Sequence, residues 1–147
     1  MLTRSGFAFL VLLASGGAAA AQSMCGEPPI APVIPTAAEI RQKPAADAAT
    51  VRHNAFLDIK RWQASLKSYR DCLSATINTD KRDLYEDARA SKPDKDKMAS
   101  IQQEMKASND ASDASANEEE KVVNDFHAAQ VAYCTRTDVD VSTCPKN

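Results

Sequence analysis

Four cysteines, Cys25, Cys72, Cys134 and Cys144, and two histidines, His53 and His127, are the residues of this chain best suited to chemistry. No two of the cysteines have Cys-x-x-Cys spacing, so neither a thioredoxin-like dithiol nor haem attachment through Cys-x-x-Cys-His is indicated. Structural bridging is the expectation, and three complete pairings are open. Zinc or copper would want three or four convergent ligands, and neither histidine belongs to a His-x-x-x-His or Glu-x-x-His pair. His53 and His127 are therefore read as exposed helix-surface residues and kept only as weak candidates for a metal or small-ligand site. Met98 and Met105 have no histidine placed to complete a haem site and read as packing. The serines lie in Ala-rich and Asp-rich helical stretches, with nothing to activate a nucleophile. Glu118, Glu119 and Glu120 read as a solvated helix face. All four glycines, Gly6, Gly16, Gly17 and Gly26, fall before the helical region, so no phosphate-binding loop can be built. No catalytic residue and no cofactor is expected.

The elements that would position these residues start with an export signal. Arg4 gives a positive n-region, Phe7 to Ala14 an apolar h-region, and Ala18 to Ala21 the small side chains that signal peptidase accepts. Cleavage after Ala21 is expected, with 1–21 as signal peptide and no membrane-spanning segment remaining. The lipoprotein reading of Cys25 is disfavoured because Gln22-Ser23-Met24 lacks the small residue expected before such a cysteine. Residues 22–45 carry Pro28, Pro29, Pro32, Pro35 and Pro44 and read as an extended, largely solvated leader. Thr36 followed by Glu39 is a capping box that would start a short helical turn to Gln42.

Low glycine and 5% aromatic residues, with abundant Ala, Lys, Asp and Glu, favour helix over sheet. A formal charge of -2 provides no long-range field for nucleic acid or an anionic membrane. Beyond Pro44 an apolar stripe runs Ala48, Val51, Ala55, Ile59, Trp62, Leu66, Tyr69, Leu73, Ile77, Leu84 and Ala88, broken by Asp80. A second runs Met98, Ile101, Met105, Ser108, Ser112, Ser115, Glu119, Val122, Phe126, Ala129 and Tyr133. Ser91-Lys92-Pro93-Asp94 separates them at a chain reversal. The preferred fold is all-α: a long antiparallel, coiled-coil-like helical hairpin over 46–136, with helices 46–90 and 93–136 and a C-terminal tail 137–147. Facing residue numbers would sum to about 183, setting Lys60, Arg61 and Lys67 near Glu118 to Glu120 and the two histidines within about one turn of each other. The alternative is a three-helix up-down-up bundle with turns at Asn78-Thr79-Asp80 and within 107–117.

The two folds differ in their cysteines. The hairpin gathers Cys25, Cys134 and Cys144 and leaves Cys72 about 30 Å away, unpaired or bridging two molecules. The bundle pairs Cys72 with Cys134 and Cys25 with Cys144. Tyr69-Arg70-Asp71-Cys72-Leu73, with Ser108-Asn109 through Glu118, Val122 to His127 and Val131-Ala132-Tyr133, resembles an uncharacterised family of small exported helical proteins from alphaproteobacteria. That resemblance implies export and a helical hairpin, with no functional residues to carry over. The expected function is a structural or protein-interaction role, without catalysis, in a periplasmic or secreted protein. Its partner would be an unknown envelope protein or a second copy. The alternatives are a metal or small-ligand carrier using His53 and His127 and a thiol redox protein centred on Cys72.

Overall fold

Between Pro44 and Pro93 there is neither glycine nor proline, so nothing stops a helix once nucleated, and each added residue contributes a backbone hydrogen bond. The computed structural model, in which residues 24–145 are described, shows the outcome. The short α1 (Ala37–Gln42) precedes two long helices, α2 (Ala45–Ala88) and α3 (Lys95–Cys134), and a 3-10 turn (Val141–Thr143) is the last element of the described chain. No strand occurs among the described residues. The export signal expected over 1–21 lies outside them.

The fold is the antiparallel hairpin, and the three-helix alternative is corrected. Asn78 to Asp80 and the whole of 107–117 are helical. Asp80 is tolerated in the seam because one buried carboxyl costs less than abandoning the helical hydrogen bonds of the turns around it. The expected register holds: Phe56 meets Phe126, Gln63 meets Glu119, and Asp87 meets Lys97. α3 starts at Lys95, after Asp94, whose carboxylate accepts from the amides of Asp96 and Lys97 at 3.1 Å each.

The cross-helix charge pairs differ from expectation. Arg61 pairs with Asp58 and Lys67 with Asp71 on their own helix, and Lys60 lies over the Phe56 ring. Positions 60, 61 and 67 are exposed, so partners one turn away are nearer than the opposite helix. Glu119 is met instead by Gln63 at 2.8 Å and Arg70 at 2.5 Å. Arg70 also donates to the Ser115 hydroxyl and carbonyl, at 2.7 and 2.6 Å. The guanidinium thus fills the space that small Ser115 leaves in the seam, and its hydrogen bonds hold the Glu119 carboxyl below the usual range.

The leader is the largest departure from expectation, because it is not a solvated tether. It runs back along the hairpin as a third layer. Ala31 and Ile34 pack on the core formed by Ile59, Trp62, Leu66, Tyr69, Leu73 and Val122, and the Trp62 indole donates to the Pro29 carbonyl at 3.0 Å. The leader's end is fixed by a Cys25–Cys72 disulfide, and a Cys134–Cys144 disulfide folds the tail onto α3. This pairing belongs to neither expected set. From Thr36 back to Cys25, about eleven residues of extended chain at about 3.1 Å each cover roughly 34 Å, enough to span the roughly 30 Å by which Cys72 was expected to lie from the other cysteines.

Capping joins the leader to the base of the hairpin. Thr36 and Glu39 form the capping box of α1, with the Thr36 amide donating to Glu39 Oε2 at 2.7 Å. Ile40 then enters a second core with Ala48, Ala129, Ala132 and Tyr133. At the other end of α1, Arg136 donates to the carbonyls of Ile40 and Lys43 at 2.6 and 2.8 Å, satisfying acceptors that the short helix leaves unpaired.

Candidate functional site

An extended chain lying on a surface repeats its contacts about every third residue, and the leader does so. Ala31, Ile34 and Ala37 turn inward, whereas Met24, Glu27, Ile30, Val33 and Thr36 face solvent. Three of the outward side chains are large and apolar: Met24 is 92%, Ile30 94% and Val33 94% exposed. Scattered apolar residues on a surface are ordinary, but Ile30 and Val33 stand in one row on a segment held at Cys25, Pro29 and Thr36, with Met24 beyond the turn at Cys25 and Gly26. Sequence reading missed this row because it looked for helical and strand periods. The available signal was a period of three running through the proline-rich stretch.

The histidines lie at the base of the hairpin, and two adjoining clefts divide them. His53 lines one of about 380 Å³ with Arg52, Phe56, Phe126, Gln130 and Thr143. His127 lines the other, about 360 Å³, with Gln130, Val131 and the Cys134–Cys144 region. Both are exposed, as expected. Among the described residues, no group of three or more His, Cys, Asp or Glu is arranged to hold a metal ion. Arg52, which sequence reading did not single out, organises the first cleft. Its guanidinium lies 4.3 Å from the Tyr133 ring centroid and donates to the Thr143 hydroxyl at 3.0 Å, tying α2 to the bridged tail.

All four cysteines are bridged, so Cys72 presents no thiol, contrary to the expectation drawn from the hairpin. Cys25 Sγ lies 3.7 Å from the Thr76 hydroxyl, which places the leader's first described turn where the covered part of the hairpin ends. The expected glutamate face is split. Glu119 is drawn into the seam by Arg70, while Glu118 and Glu120 remain exposed. No helix among the described residues is long and apolar enough to cross a membrane.

Compared with known protein families, curated proteins and solved structures, the chain matches none.

Proposed function

We propose that this is an exported protein, periplasmic or secreted, with a structural or protein-binding role and no catalytic activity, which presents its stapled leader to an envelope protein or to a second copy. The exposed row of Ile30 and Val33 on an immobilised segment supports this reading. A partner closing over such a ridge gains apolar burial at about 25 cal/mol per Å² and orders little chain in return. Extended, proline-containing segments are favoured ligands for aromatic-lined grooves on that account. Two disulfides suit an oxidising compartment.

The test is a photo-crosslinking residue placed at position 30 or 33, compared with the exposed Ser74, in cells exporting the protein. It is paired with sedimentation velocity of the purified chain. Adducts concentrated at 30 and 33, or reversible self-association lost on Ile30→Ser, are expected. A strictly monomeric chain that crosslinks no more at these positions than at Ser74 would end the reading.

Carriage of a small ligand is a second reading, favoured by the cleft that sets Arg52, His53 and Gln130 beside the Phe56 and Phe126 rings. Its chemistry suits an anion with an apolar body. Titration calorimetry with an aromatic or fatty carboxylate checks it, with no heat at millimolar ligand as the adverse result.

A further inference from the structure

The upper part of the hairpin, beyond the leader's reach, has an unusual seam. Asp80 occupies the position at which α2 would place its next apolar residue, and only 9% of it is exposed. Its Oδ2 is shielded from solvent and has no hydrogen-bond partner among the described residues. Among the described residues α2 packs mainly against α3, and the charged groups that act on Asp80 are both acidic: Asp83 one turn along α2, and Glu104 across the seam. Arg82 is engaged with Asp83 at 3.1 Å and Lys106 with Asp110, while the adjoining Lys81 is exposed to solvent. Thr76, Ile77, Leu84, Met98, Ile101 and Met105 around it are half-buried.

We propose that this distal segment, α2 beyond Thr76 and α3 up to Ser108, is a pH-responsive clasp that is closed when Asp80 carries a proton and loosened when Asp80 is ionised. A neutral carboxyl can sit shielded between the helices, whereas a carboxylate without a cation must draw in water or part the helices. Desolvation first, then Glu104 and Asp83, raise the Asp80 pKa above its ordinary value. The closed clasp therefore binds a proton more tightly than the open one. Its stability rises as pH falls through the closed-state pKa and levels off below the open-state value. The Cys25–Cys72 bridge lies just below this segment, and the connection at 89–94 joins its two arms at the far end. On the proposed reading that the protein is exported, it meets the pH of its surroundings, and the device couples that pH to how tightly the two helix arms pack between the bridge and the 89–94 connection.

Amide hydrogen exchange of the oxidised full-length mature chain between pH 4 and 8, corrected for intrinsic rates, tests this. Protection of residues 78–86 and 99–106 should fall as pH rises while that of 59–73 does not fall with it. Each pH unit by which the midpoint exceeds that of a free aspartate corresponds to about a tenfold change in the opening equilibrium. Asp80→Asn should abolish the dependence and hold the clasp shut. Glu104→Gln, which leaves Asp80 in place, should move the midpoint down and guards against misfolding of the first variant. Distal protection that is flat with pH, or a dependence that survives Asp80→Asn, would overturn the proposal. So would closure that follows added calcium or magnesium at constant pH, because it would identify the carboxylates as a cation site.

Discussion

Among the described residues the hairpin is three layers thick below Cys72 and two above Thr76. In the lower part Ile59, Trp62, Leu66, Tyr69 and Leu73 are all at least nine-tenths buried, because the leader covers the side of the seam that α3 leaves open. In the upper part the same apolar spacing continues through Ile77, Leu84, Ile101 and Met105, yet these side chains are only half-buried, and the seam's buried positions there are Asp80 and Ser108. A heptad-like stripe is thus enough to pair two helices in register but not to dry the joint between them. Each helix covers only one flank of its neighbour, and the rest must come from a third element.

The comparison breaks most visibly if the third layer is cut loose. Cys25 and Cys72 are 47 residues apart and Cys134 and Cys144 only 10. By loop-closure entropy, the first bridge contributes about 4 kcal/mol and the second about 3 kcal/mol. Replacing Cys25 and Cys72 together by serine should therefore lower the urea midpoint more than replacing Cys134 and Cys144, and should expose the leader to proteolysis. Equal losses with an intact leader would show that packing on Trp62, rather than the bridge, holds the third layer down.

Next in size is a matched pair of truncations. Leu66→Ala removes a 2% exposed side chain from the three-layer core and should cost about 2 to 5 kcal/mol. Ile101→Ala removes one already half in water and should cost about 1 kcal/mol, in line with the smaller area it takes from solvent. Denaturant unfolding of both variants measures the contrast. Similar costs would mean that the upper seam is as dry as the lower.

The lower part was partly legible in the sequence and partly hidden. Both stripes, their register and the reversal near Pro93 follow from apolar spacing and from the absence of helix breakers, which are local properties. Asp80 was legible as an interruption, but whether it ended the helix depended on weighing one polar burial against a turn of backbone hydrogen bonds. The leader was hidden because an extended segment has no helical period to detect, and its inward residues, Ala31 and Ile34, are too few to form a stripe. The disulfide map was lost with it: Cys72 looked isolated only while the chain from Cys25 was assumed to trail in solvent. Arg70 was hidden for a related reason, since a long charged side chain beside a seam is read as exposed unless a small residue such as Ser115 is seen to make room for it.

Acid should set the two parts against each other. Hydrogen bonds from Arg70 hold the Glu119 pKa below its ordinary value, so this carboxylate's contribution is complete above the ordinary glutamate range and is lost as pH falls through the depressed folded value. That slope is opposite in sign to the one expected at Asp80. Arg70→Ala, which leaves the half-buried Glu119 and Ser115 without their donor, should cost about 1 to 3 kcal/mol at neutral pH and less at low pH. Thermal melts at both pH values check it. A cost that does not shrink in acid would mean that the guanidinium acts by packing alone.

The smallest effect on stability should come from the row proposed to meet a partner. Ile30 and Val33 are almost wholly in water in the isolated chain, so changing either to serine removes little burial and should shift folding stability by no more than about 0.5 kcal/mol. A binding ridge differs from a structural one in this separation: its substitutions leave melting unchanged while reducing crosslinking or self-association. If Ile30→Ser and Val33→Ser instead destabilised the fold as Leu66→Ala is expected to, the row would be closing on the hairpin itself, and the third layer would serve only to dry the lower seam.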